Sequence, residues 1–195
     1  VLVVAWLFLV MLAVVGRAWQ PGWNIAPMAA VALAAGAFFP SMLIAASVPV
    51  GALVISNSFL PAYEHPLMAV VVYASLTWPI LIGSCGLLGG AGRGTRWFAV
   101  VGGALASSLV FFFATNVSHW ALTDMYPKSA AGLVTCLAAG LPFYRWAAVG
   151  DIAWSLGLFG LLAGMVAAGD ALADRRLAPA SVARGRSGLT GGPQA

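Results

Sequence analysis

The sequence predicts an all-α, polytopic membrane protein: six transmembrane helices and one short interfacial helix, with both termini inside. Three observations carry that expectation. Of 195 residues, 62% are apolar and 7% charged; mean hydropathy is +0.98; and apolar runs recur at membrane-span length. Soluble domains carry roughly 25% charged residues, so a soluble enzyme, a nucleic-acid reader and a disordered chain are excluded. The net charge of +4 does not point to nucleic acid. Arg175, Arg176, Arg184 and Arg186 follow the last apolar run, as a cytoplasmic flank facing anionic lipid should.

A transmembrane helix needs about 20 apolar residues. Val1 to Val15 is unbroken and ends at Gly16-Arg17, with Trp19 and Trp23 as interfacial anchors. No basic segment precedes it, so it reads as a retained span. Asn24 to Phe39 is Ala-rich and uncharged, Met42 to Phe59 is the third span, and Pro66 to Leu88 the fourth, kinked at Pro79. Trp97 to Trp120 is the fifth and Trp146 to Ala173 the sixth. Between them, Ser129 to Leu141 reaches about 20 Å at about 1.5 Å per residue, short of a core about 30 Å thick. It reads as a short interfacial or re-entrant helix with Ser129 as its N-cap. Residues 1–173 then form the bundle. Residues 174–195 form a basic tail rich in Gly, Ser and Pro that cannot bury a core.

Six spans place both termini on one side. With the N-terminus inside, Arg93, Arg96 and the four tail arginines face the cytoplasm, against Arg17, Lys128 and Arg145 outside. The positive-inside rule favours that orientation.

The chemically distinctive side chains then gather on the outer face. The first outer connection supplies Asn24; the second Tyr63, Glu64 and His65; the third Asn116, His119, Trp120, Asp124, Tyr126 and Lys128, with Arg145 and Asp151 nearby. Each also has a plainer reading. His65 and His119 are solvated interface residues or ligands, and Asn116 bonds a neighbouring carbonyl or a substrate. Trp120, Tyr126 and Tyr144 are an aromatic belt or a stacking platform. Asp151 lies in an apolar run, where an unpaired carboxylate costs several kcal/mol. Arg145 or Lys128 is its expected partner, in a structural ion pair or a binding site. Small residues four apart (Ala30 and Ala34, Ala32 and Gly36, Gly160 and Gly164) allow close helix approach within the bundle or between subunits.

No catalytic motif is present. The chain has no Walker loop, no His-x-x-x-His and no Cys-x-x-Cys. Cys85 and Cys136 have no metal-type spacing. The expectation is a protein that is not an enzyme and carries no metal or cofactor.

Four segments carry a resemblance. They are Asn24 to Ala37, Tyr63-Glu64-His65-Pro66 before a span, Thr115-Asn116 followed by Met125 to Leu133, and Leu141 to Arg145 leading to Gly150-Asp151. Together they resemble an uncharacterised family of small bacterial integral membrane proteins, over roughly residues 1 to 170. More distantly the chain is similar to the S-components of energy-coupling-factor vitamin transporters, including solitary cobalamin-type members. That resemblance implies six helices, both termini inside and a pocket open to the outside of the bacterial cytoplasmic membrane. Asn24, His65, Asn116, Tyr126 and Lys128 would line the pocket and bind a vitamin-like molecule for uptake. The alternative is a non-catalytic accessory subunit of a larger respiratory or photosynthetic membrane complex. Its tail would then be held by partner subunits, since composition gives it no core of its own.

Overall fold

The computed structural model describes residues 2–19, 25–88 and 96–187, with side chains as far as residue 173. Among these residues every regular element is helical: α1 (Leu2–Trp19), α2 (Met28–Phe38), α3 (Met42–Asn57), α4 (Pro66–Thr77), α5 (Pro79–Ser84), α6 (Trp97–Leu122) and α7 (Ala130–Ser187). Four stretches are long and apolar enough to cross a membrane: Leu2–Trp19, Pro66–Ser84, Trp97–Leu122 and Ala130–Ala173. The chain divides into two compact units, residues 1–159 and 160–195.

The first unit is organised around α2. Every residue from Met28 to Gly36 is buried, and Ala30, Ala32 and Ala34 have no exposed surface. A helix apolar on all sides belongs inside a protein, and its small side chains let neighbouring backbones come close. The tightest neighbour is α5. A Cβ added to Gly36 would lie 2.1 Å from the carbonyl oxygen of Ile80, and one on Gly83 would lie 2.3 Å from that of Leu33. The run expected to span from residue 24 to 39 therefore forms only 11 helical residues. At about 1.5 Å each they reach about 16 Å, roughly half the hydrocarbon thickness.

Helices α1 and α3 run side by side in the same direction. Near one end Trp6 Nε1 donates to Ser47 Oγ at 2.8 Å; near the other, Arg17 Nη1 donates to Ser56 Oγ at 2.6 Å. Arg17 thus sits in the last turn of α1, not beyond it, because the helix continues past Gly16 to Trp19. The expected kink at Pro79 is a break between α4 and α5. Pro79 supplies no N–H to the ladder and collides with the preceding turn. Past Cys85 the chain turns at Gly86, whose φ of 70° ends the helix.

Helices α6 and α7 form an antiparallel hairpin. Ser129 caps α7 as expected, its Oγ accepting from the backbone N–H of Gly132 at 3.2 Å. The separate interfacial helix is not formed. Helix α7 runs unbroken from Ala130 through Pro142, and its first turns lie along the last turns of α6. Cys136 Sγ reaches the carbonyl of Asn116 at 3.4 Å, and the rings of Phe112 and Tyr144 are 5.1 Å apart. Pro142 is exposed, so its ring bends no packed neighbour, while Tyr144 anchors the next turn. The stretch too short to span alone is the beginning of a long helix.

In the second unit α7 continues from Gly160 to Ser187. Leu161, Met165 and Leu172 are at least half exposed there. A Cβ on Gly164 would meet nothing within 4 Å among the described residues. Of the expected tail, residues 174–187 are helical backbone, and residues 188–195 lie outside the described residues.

Candidate functional site

The connections α3–α4 and α6–α7 and the end of α1 meet at one end of the first unit. Arg17 Nη1 there donates to Asn57 Oδ1 at 3.0 Å as well as to Ser56. Asn57 Nδ2 in turn donates to Tyr73 Oη at 3.0 Å, and Tyr63 Oη lies 3.5 Å from Asn57 Oδ1. Five polar side chains from α1, α3, the α3–α4 connection and α4 form one network. Each has a partner, as buried polar groups require.

Three cavities adjoin this end. The outermost, about 300 Å³, is lined by Tyr63, Glu64, His65 and His119. His65 also caps α4, its Nδ1 accepting from the N–H of Leu67 at 3.1 Å, with Pro66 at the first helical position. The middle cavity, about 340 Å³, lies between α4, α6 and α7 and includes Met68, Thr115, Asn116 and Tyr144. It shares Met68 and His119 with the outer one. A Cβ on Gly140 would lie 2.6 Å from Asn116 Oδ1, so the missing side chain there leaves room for Asn116. The inner cavity, about 180 Å³, shares Val72, Phe111 and Ala147 with the middle one and holds Arg17 and Asp151 on its walls.

Asp151 is reached from α6. Ser108 Oγ lies 2.8 Å from Asp151 Oδ2 and 2.9 Å from the carbonyl oxygen of Ala104, one turn back on its own helix, so its one proton is shared between the two acceptors. Ser108 is near the midpoint of α6, so the carboxylate stands at mid-height of an apolar helix pair. The expected ion pair with Arg145 is not made. Arg145 lies over the ring of Trp146, 5.5 Å from its centroid. Six positions apart on one continuous helix, at about 100° per residue, the two side chains leave on different faces.

Lys128, the other expected partner, is also engaged elsewhere. Its Nζ donates to the carbonyls of Trp120 and Thr123, satisfying acceptors that the end of α6 leaves open. Tyr126 stands edge-on to His119, with centroids 6.3 Å apart. Of the five residues expected to line a pocket, His65 and Asn116 line described cavities. Tyr126 and Lys128 support the α6–α7 connection, and Asn24 lies outside the described residues. Asn116 also donates from Nδ2 to the carbonyl of Phe112 at 2.8 Å, leaving its Oδ1 toward Gly140.

Sequence reasoning missed the inner cavity. Its signals were present: one arginine closing an apolar run, the polar triplet Ser56-Asn57-Ser58 closing another, and Ser107-Ser108 in the middle of a third. Among the described residues no three His, Cys, Asp or Glu side chains converge as metal ligands would.

No curated protein and no solved structure matches the chain. Residues 1–172 match the Family of unknown function (DUF6580), covering both described ends of the site, and the chain belongs to that family.

Proposed function

We propose that this protein is a six-span integral membrane protein, N-terminus and C-terminus inside, that binds a small molecule from the outer side for uptake. It resembles an S-component in that role, and it binds without transforming its ligand. The observation that carries the reading is the run of three adjoining cavities. It begins among Glu64 and His65 of the α3–α4 connection and His119 near the end of α6, and ends at a carboxylate half-way along α6 and α7. Ligand pockets are concave, mainly apolar and furnished with a few convergent polar groups, and an ionisable residue at membrane depth is a functional candidate by default. The six basic residues on the segments read as inner, against three on those read as outer, support this orientation, with the mouth outside.

Native mass spectrometry of the protein extracted from its own membrane in mild detergent tests this. A 20.0 kDa species with a stoichiometric small-molecule adduct supports the reading, as does loss of the adduct in folded His65→Ala or Asn116→Ala protein. Co-elution with a fixed set of larger subunits and no adduct overturns it in favour of an accessory subunit.

A further inference from the structure

We infer that the inner cavity takes a small zwitterion of the amino-acid class, its carboxylate against Arg17 and its ammonium against Asp151. The inference rests on the reading above and names the ligand's chemistry. The cavity has about 180 Å³ of space, the scale of one amino acid. Among its described lining residues, Arg17 and Asp151 are the two that carry formal charge, and they do not neutralise one another. The hydrogen bonds of Arg17 leave from Nη1 alone. Its Nη2 and Nε donors are therefore unused among the described residues. Those two nitrogens form the fork that grips a carboxylate through two parallel bonds. Asp151 uses Oδ2 to accept from Ser108, and its Oδ1 is likewise unused among the described residues.

Three hydroxyls also stand on the cavity's walls: Tyr63 Oη lies 3.5 Å from Asn57 Oδ1, and the two serines are engaged on their own helices. Ser75 donates to the carbonyl of Val71 and Ser107 to that of Gly103, each one turn back on its own helix. The other walls include Val72, Pro79 and Phe111, an apolar surface suited to an aliphatic side chain. Separated opposite charges in an apolar site are costly until each meets a counter-charge. A zwitterion, which carries a carboxylate and an ammonium in one molecule, offers a counter-charge to each. An anion alone or a cation alone leaves one of them unmatched.

The test uses the full-length protein in lipid nanodiscs and an equimolar pool of the twenty protein amino acids as probe, read by native mass spectrometry. The amino acid retained is then titrated against its α-hydroxy acid and its decarboxylated amine. The expected result is retention of a neutral amino acid, with each analogue at least about tenfold weaker, as loss of one charge-assisted hydrogen bond implies. Asp151→Asn should bring the amino acid down to the level of its hydroxy acid, and Arg17→Lys should weaken amino acid and hydroxy acid together. Size-exclusion profiles and melting temperatures establish that each variant is folded. Equal binding of amino acid and hydroxy acid, or unchanged discrimination in Asp151→Asn, overturns the inference. If the pool is ignored while the natively extracted protein carries a molecule without an ammonium group, this inference fails and the binding reading stands. If neither pool nor native extract yields an adduct, both fail.

Discussion

Ser108 donates its hydroxyl to Asp151 across 2.8 Å, joining the midpoint of α6 to α7. The carboxylate is half-buried and has no other hydrogen-bond partner among the described residues. Removing the donor by Ser108→Ala leaves a polar group without its bond in an apolar setting, which costs about 1–3 kcal/mol. Asp151→Leu removes the demand instead of the donor and should cost less than Ser108→Ala, or stabilise the fold. Thermal unfolding in detergent, followed by tryptophan fluorescence, ranks the two. Ser108→Ala melting as wild type would show that the bond carries no stability.

The contact between α2 and α5 should be the least forgiving place in the first unit. Gly83→Ala would drive a methyl against the carbonyl of Leu33, at 2.3 Å, and against the N of Ala37, at 2.9 Å. Backbone atoms cannot step aside as a side chain can, so the helices must separate. The cost should be about 1–3 kcal/mol or more, with Gly36→Ala similar. Gly102→Ala, where a Cβ meets nothing within 4 Å, is the control. It should be neutral or gain a few tenths of a kcal/mol from helix propensity alone. Melting temperatures of the four proteins decide the matter.

Asn57 is the hub between α1, α3 and α4, because it accepts from Arg17 and donates to Tyr73. A double-mutant cycle on Arg17→Gln and Asn57→Ala should give a coupling of about 0.5–3 kcal/mol, while Tyr73→Phe alone should cost about 1 kcal/mol. Additive effects would mean that Arg17 is held by Ser56 and solvent, not by Asn57.

Gly140 and Asn116 separate ligand effects from folding effects. An alanine at Gly140 would place its Cβ 2.6 Å from Asn116 Oδ1 and 2.9 Å from Phe112 Cε2. Both are ends of side chains, so they can give way into the middle cavity and the fold should survive. The cavity should not. By native mass spectrometry, Gly140→Ala is expected to melt within a few degrees of wild type yet lose any adduct seated in the middle cavity, while a molecule held at Arg17 and Asp151 in the inner cavity, which Gly140 does not line, is retained. An unaltered adduct would place the ligand elsewhere.

These relationships divide according to how far apart in sequence their causes lie. The break at Pro79 and the Ser129 cap follow from local chemistry, a missing N–H and a hydroxyl three residues before an N–H, and both were legible. The end expected for the short helix at Leu141 is not borne out, since α7 continues through Pro142. Proline read locally is a stop, yet α7 passes through it because Tyr144 beyond it and Cys136 before it both dock on α6. Once the helix is continuous, Arg145 cannot face Asp151, and Lys128 turns to the open carbonyls of α6. The inner cavity was invisible for a different reason. Arg17, Ser75, Ser107 and Asp151 lie on four helices, and no spacing rule relates residues so far apart. His65 and Asn116, expected from their place beside helix ends, do come to lie on cavity walls, since polar residues near a common face tend to meet.

Orientation can be read from one thiol. Cys85 is exposed just past α5, whereas Cys136 is buried against α6, so a bulky maleimide has a single ready target. The connection that follows Cys85 carries Arg93 and Arg96, and the proposed orientation puts it inside. A membrane-impermeant maleimide should therefore leave intact spheroplasts unlabelled and should modify Cys85 in inverted vesicles; Cys85→Ser should abolish the signal. The four tail arginines supply most of the charge asymmetry, so removing residues 175–195 should weaken the preference and give labelling from both sides. Labelling of intact spheroplasts by the full chain would turn the molecule over. The Glu64, His65 and His119 mouth would then face the cytoplasm, and a ligand held at Arg17 and Asp151 would be one received from inside the cell.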